Sequence, residues 1–386
     1  MVTAPEVIYL DHHSSTPCDP RVIEAMIPFF AANGANPSNT LHALGRQAAA
    51  AVDNAREQVA SLIGAKPGEI AFTSGATESN NLALLGIAER ANDDRRKLVV
   101  SPIEHKSVLE VCKLLCNRGF TVDYLPVDFA GTVDLQAAAR LIDDGTLAVS
   151  VHVANNEIGT LEPILEIAAI AHDRGAVFHT DAAQATGKVA LNVETLDVDL
   201  LSISSHKLYG PKGVGAIYVR GGAATRRLPP LLHGGGQEGG LRPGTTNVPG
   251  AVGFGQACAI CGVEMADESI RVGSLRDQFE DQLLRLIPAL RRNGNLTHRL
   301  YGNSSLTFPG VEADALLLNV PELALSTGSA CNSGAIEPSH VLLAIGLPRD
   351  LAYSTVRVGL GRFTTGPDVQ TAATLLAQAY GRLAGL

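Results

Sequence analysis

The amino-acid sequence predicts an α/β protein: a large domain with a mainly parallel sheet flanked by helices, plus a smaller α+β domain. Three observations point there. At 386 residues the chain exceeds what one small core organises. Between residues 69 and 219 short apolar runs alternate with amphipathic segments, and strands apolar on both faces belong in a parallel sheet covered by helices. A glycine-rich stretch at 234–244 then leads into a long helical segment that reads as a bridge to a second region. The predicted division is 16–260 for the large domain, and 1–15 with 261–386 for the small one.

Taken in order, residues 6–10 read as a short strand and 11–20 as a loop of turn formers. Residues 21–32 form an amphipathic helix, and 44–63 a long helix closed by Gly64. Strands follow at 69–73, 98–101, 121–125, 147–152, 177–180, 200–203 and 216–219. Helices fall between them at 79–91, 108–118, 135–141 and 164–174. The second region carries helices at 248–264, 274–290 and 368–383, with strands at 304–308 and 325–326. In such sheets ligands sit beyond the carboxyl ends of the strands.

Composition excludes several function classes. The net charge of −9 argues against a broad basic face for nucleic acid, so no direct nucleic-acid binding is expected. No basic n-region opens the chain and no apolar run reaches about 18 residues, so a cytoplasmic protein without a membrane span is expected. Six scattered cysteines fit a reduced thiol set. Cys258 and Cys261 form a C-x-x-C, but with no second ligand pair nearby they read as packing, and no metal site is expected.

Five loops at strand ends carry polar residues that a core does not need. Thr73-Ser-Gly-Ala-Thr-Glu-Ser79 is a strand end, a glycine turn and hydroxyls opening a helix, where free backbone N–H groups suit a phosphate, although a plain helix cap by Thr77 reads equally well. His105, after the strand ending at Ser101, could stack on a flat ring or relay a proton. Asn155 could bond a ring hydroxyl or a substrate carboxylate, or merely its own turn. Asp181 at a buried strand end is costly unless it faces a cation such as a protonated pyridine. In Ser204-Ser-His-Lys207, Ser204 and His206 could hold a phosphate while Lys207 acts as a nucleophilic amine. Only seven of the 30 basic residues are lysines, so candidates for that amine are few. The joint set is one that pyridoxal phosphate uses.

The motifs place the chain in a known family. They include Tyr9-Leu-Asp-His-His-Ser-Ser-Thr-Pro17, Asn155-Asn-Glu-Ile-Gly159, His179-Thr-Asp-Ala-Ala-Gln184 and Ser204-Ser-His-Lys207. Arg242-Pro-Gly-Thr-Thr-Asn247, Ser326-Thr-Gly-Ser-Ala-Cys331 and Arg357-Val-Gly-Leu-Gly-Arg362 follow in order. The sequence resembles a cysteine desulfurase of the NifS/IscS type, in the class-V aminotransferase family with the fold type I of pyridoxal-phosphate-dependent transferases. The resemblance implies pyridoxal 5'-phosphate on Lys207, Asp181 on its ring nitrogen, His105 over its ring and Gln184 at its phenolic oxygen. It implies a phosphate cradle of Ala76, Thr77, Ser204 and His206, completed in a homodimer by Thr245 of the other subunit. Asn155 and Arg357 would bind the substrate L-cysteine. The freed Lys207 amine would remove the Cα proton, and Cys331 would attack the substrate sulfur, releasing alanine and keeping a persulfide for a sulfur-acceptor protein.

A selenocysteine lyase or a small-amino-acid aminotransferase of the same fold is the alternative enzyme, and a sulfur-carrier scaffold without the cofactor the alternative class. The sequence departs from the family at His13, Ser14 and Ser15, at Ala35 and at Gly359. The chain also ends soon after its last helix. Members that dock an iron–sulfur scaffold often carry a longer tail, so a specialised acceptor, as in DNA phosphorothioation or tRNA thiolation, is a further expectation.

Overall fold

A computed structural model describes residues 7–92, 94–222, 225, 228–327 and 337–385. Its largest sheet has seven strands: β2 (Ile70–Thr73), β3 (Lys97–Val100), β4 (Thr121–Tyr124), β5 (Thr146–Ser150), β6 (Val177–Asp181), β7 (Leu200–Ser204) and β8 (Gly215–Val219). Their spatial order is β2-β8-β7-β6-β5-β3-β4. The pairs from β7 through β4 are parallel, and β8 runs antiparallel to both neighbours. The exception has a simple cause: only residues 205–214 link β7 to β8, which is too short for a crossover helix. Every residue of β7 and β8 is buried, as strands covered on both faces require.

The helices beside this sheet are α1 (Pro20–Phe30), α2 (Ala43–Leu62), α3 (Ala76–Ala88), α4 (Lys106–Cys116), α5 (Leu135–Leu141) and α6 (Ile164–Asp173). The expected alternation is present throughout. Helix starts move toward the N-terminus, because α3 and α4 begin at Gly75 and His105 caps rather than at the first apolar residue.

The second region differs more from expectation. The two helices predicted at 248–264 and 274–290 are one helix of 39 residues, α7 (Val248–Leu286). Gly273 is at most a cost of about 1 kcal/mol in a helix interior. Val272, Phe279 and Leu283 are buried beyond it, and that packing carries the helix through. By length and composition α7 could cross a membrane, but 56% of its apolar window is buried inside the protein, as in a core helix. The proposed boundary at 260/261 falls inside it.

β10 (Asn303–Thr307) pairs antiparallel with β9 (Arg291–Arg292) and with β13 (Thr355–Gly359), which in turn pairs with β12 (Ser326–Thr327). β13 was not foreseen. Its Val356 and Val358 point into a second apolar core with Leu10, Phe279, Leu306, Phe308 and Leu376, leaving Arg357 on the other face. The chain's beginning joins this region: β1 (Ile8–Tyr9) pairs with β11 (Leu323–Ala324). Short helices α8 (Ala313–Leu318), α9 (His340–Ala344) and α10 (Arg349–Tyr353) and the final α11 (Gly366–Ala384) complete it. Among the described residues no group of three His, Cys, Asp or Glu is arranged to hold a metal.

Candidate active site

The strand ends, the start of α3 and the face of β13 meet around a cavity of about 1200 Å3. Its wall includes Ala76, Thr77, His105, Asp181, Gln184, Ser204, His206, Lys207 and Arg357, nine of the residues singled out in the sequence.

α3 begins with no side-chain cap, so Thr77 is not its cap and the first-turn N–H groups stay available toward the cavity. Its N-cap is Gly75, at φ +148°, a conformation side chains rarely adopt. A Cβ on Gly215 would come within 2.6 Å of the Gly75 Cα, so glycine at both positions lets the turn sit against β8.

Asp181 ends β6, 7% exposed. One carboxylate oxygen accepts from the Ala183 N–H at 2.8 Å and the other from Asn80 Nδ2 at 2.7 Å. Asn80 also donates to Ser107 Oγ at 2.8 Å, and Ser107 Oγ lies 2.8 Å from His105 Nδ1. The Ser107 N–H donates to that same ring nitrogen, so His105 carries its proton on Nε2. Asp181 and His105 thus belong to one buried network, and burial lowers the His105 pKa.

Lys207 follows β7 on a single 3-10 turn, Ser205–Lys207. Its Nζ donates to the main-chain oxygens of His13 at 2.6 Å and Ser14 at 2.7 Å. Burial, then repulsion from Lys188 and Arg357, lowers its pKa to about 7. His206 beside it, bonded to Ser15 Oγ at 3.2 Å, is lowered to about 4, mainly by burial and then by Lys207. Gln184 is engaged at both ends by His13: Nε2 donates to its carbonyl at 2.8 Å, and Oε1 accepts from its Nδ1 at 3.1 Å.

Arg357 reaches the cavity from β13. Its guanidinium pairs with Asp11 at 2.9 Å and donates to the Asn156 carbonyl at 3.3 Å, while its buried Nε has no partner among the described residues. Asn155 stands apart from the cavity wall. It is 1% exposed, its Nδ2 donates to the Ile103 carbonyl, and its Oδ1 accepts from the N–H groups of Glu157 and Ile158. The bland alternative, an Asn spent on its own turn, describes this geometry. Thr245 is exposed and lies off this chain's cavity. Cys331 lies outside the described residues.

Several residues here were missed. Asn80, Ser107, Asp11 and His13 were given no role, since the contacts that define one lie across the fold, up to 346 positions away. His152 was missed as well: its Nδ1 meets Glu104 at 2.9 Å and its Nε2 lies 4.0 Å from Glu162. Burial opposes its charge, yet the Glu104 and Glu162 carboxylates outweigh that and raise its pKa to about 9.

Known proteins are similar to this one over nearly the whole chain. A family model, aminotransferase class-V, matches residues 8–371. The cysteine desulfurase IscS of Ehrlichia chaffeensis is 44% identical over 97% of this chain and 92% of its own length. A human cysteine desulfurase is 45% identical over 98% of this chain and 84% of its own. Among solved structures, a NifS-like protein superposes with a TM-score of 0.90 at 36% identity, over 98% of this chain and all of that one. A structure titled SspA in complex with cysteine gives 0.82 at 38% identity, over 92% and 99%. The chain belongs to the class-V aminotransferase family and, within it, to the cysteine desulfurases of the NifS/IscS type.

Proposed function

We propose that this chain takes sulfur from L-cysteine with pyridoxal 5'-phosphate, releases L-alanine and leaves a persulfide on Cys331. The carrying observation is that one cavity gathers a buried hydrogen-bonded acid, a lysine whose amine is half neutral near pH 7, and an uncapped helix start.

These residues fit that cofactor. Ala76 and Thr77 on α3, with Ser204 and His206, offer donors to a phosphate. Asp181, preset by Asn80 and the Ala183 N–H, suits a pyridine nitrogen. Gln184 would bond the phenolic oxygen, and His105 would cover the ring. When bound, the cofactor supplies a sink for the electron pair left on Cα.

The protein's own groups do the rest. Arg357 holds the substrate carboxylate as a fork, with Asp11 bracing its other edge. Lys207 as a free base takes the Cα proton and, as the ammonium so formed, can return one, while His105, with its proton on Nε2, can donate a hydrogen bond from that nitrogen. The Cys331 thiolate attacks the substrate sulfur, the S–C bond breaks, its electron pair stays on carbon, and the protonated product leaves as alanine. A sulfur-acceptor protein then takes the outer sulfur for iron–sulfur cluster assembly, tRNA thiolation or DNA phosphorothioation. Thr245 completes the phosphate cradle of a second subunit. An exposed apolar row on α1, Ile23, Ile27 and Phe30, with Leu41 beyond it, supports a homodimer.

Purified protein loaded with cofactor and given L-cysteine plus a thiol reductant is expected to form alanine and sulfide in equal amounts. Cys331→Ala is expected to lose both. No alanine from the wild type, or undiminished alanine from Cys331→Ala, would overturn the reading.

A further inference from the structure

Lys188 is a buried lysine that the mechanism above does not use. It is 7% exposed and sits in the segment that follows Asp181. Its Nζ donates to the Gln184 main-chain oxygen at 3.1 Å and lies 3.4 Å from Gln184 Oε1. Among the described residues it forms no ion pair, an expensive state for a cation so deeply placed.

Its neighbours lead straight to the reactive amine. Gln184 Oε1, the side-chain oxygen within reach of the Lys188 amine, accepts from His13 Nδ1, and Gln184 Nε2 donates to the His13 carbonyl. That carbonyl also takes the Lys207 Nζ at 2.6 Å. Two buried lysines are thus joined through one glutamine and one main-chain oxygen. The link bears on tautomers as well: Gln184 Oε1 takes its hydrogen bond from His13 Nδ1, which puts a proton on that nitrogen.

We propose that Lys188 is a positioning residue for Lys207: through Gln184 it seats the carbonyl that holds the amine, and its buried charge disfavours a second charge there. The proposal rests on the reading of Lys207 as the reactive amine. Other groups face both lysines. Lys207 feels Arg357 in the same sense as Lys188, with Asp181 and Asp11 opposing. Around Lys188 burial favours the neutral form, and Glu268 and Cys261 favour the charged one, leaving it at about 8. His12, His13 and His206 close by are all lowered, chiefly by burial, and stay neutral near pH 7. A charge on buried Lys188 therefore works against a second charge on Lys207. A cation close to an amine nucleophile is one way to keep that nucleophile unprotonated.

The test is the pH dependence of Lys207 acetylation by trace acetic anhydride in cofactor-free full-length protein, followed by peptide mass spectrometry. Wild type is expected to show a midpoint near 7. Lys188→Gln keeps a donor for the Gln184 carbonyl but no charge, and should raise the midpoint by about one unit. Lys188→Arg keeps the charge and should stay within about 0.3 unit of wild type. A wild-type midpoint in Lys188→Gln with an unchanged melting temperature overturns the proposal. Should that variant not fold, a Lys188→Arg midpoint raised by about one unit overturns it equally. With cofactor restored, the pH midpoint of the bound-cofactor absorbance should move in Lys188→Gln and not in Lys188→Arg. Cofactor absorbance that survives unchanged in Lys207→Ala would instead defeat the underlying reading of Lys207, which separates the two failures.

Discussion

In the seven-stranded sheet each functional group arrives with its partners already in place: Asp181 is bonded at both oxygens, His105 has its proton fixed on one nitrogen, and Lys207 rests on two carbonyls. The four-stranded sheet brings Ser326 and Thr327 of β12 and Arg357 of β13 to the cavity wall, and Arg357 gives one edge to Asp11 while its buried Nε has no partner among the described residues. The first region is organised before anything binds; the second keeps a donor in reserve for its ligand. The difference matches their tasks. Groups that hold a resident cofactor gain from being fixed, and a group that meets each new substrate needs unspent hydrogen bonds.

Substitutions can break this contrast, beginning with the largest effect. Lys207→Ala is expected to cut alanine formation by ~10^3-fold or more, since a positioned acid–base group is lost. Asp181→Ala should cost ~10^2-fold, with faster cofactor loss on dialysis, because it strips the anion from a prearranged acceptor site. Arg357→Ala should lose about 2 kcal/mol of substrate binding, read mainly in KM, while cofactor absorbance stays as in wild type. A KM unchanged by that substitution would erase the distinction between the two regions. Asn80→Ala, which loosens Asp181 and His105 together, should cost about 1.5 kcal/mol in kcat/KM.

The smallest effect on chemistry is expected deep in the second region. Glu280, 1% exposed, accepts from both Arg299 amines at 2.7 and 2.9 Å, and from Arg292 and Ser304. Burial would raise its pKa, but Arg299 and the other donors prevail and hold it below the usual carboxylate value. Its contribution is therefore present above the unfolded-state pKa and is lost as pH falls through the lower folded-state value. Glu280→Ala should cost about 3 kcal/mol in urea unfolding near pH 7, and the cost should shrink in acid. A wild-type KM in the folded variant is the accompanying expectation.

What the sequence revealed follows from how local each signal is. Strands buried on both faces, such as Leu200–Ser204, announce themselves as apolar runs, and the residues at their ends could be picked out one by one. Asn80, His13 and Lys188 could not, because their meaning lies in contacts across the fold and each looks ordinary in its own segment. Asn155 shows the opposite case: a conspicuous motif whose side chain is occupied by its own turn and by the Ile103 carbonyl. The gap expected between the helices at 248–264 and 274–290 is absent because Val272, Phe279 and Leu283 pack into a core and carry the helix through.

That unbroken helix has a consequence for folding. At 1.5 Å per residue, α7 runs for about 58 Å and lends side chains to both apolar cores. Neither half can be excised by cutting near residue 260 without severing a helix in its middle. Fragments made there should not fold alone, and denaturant should melt the two cores in one cooperative transition.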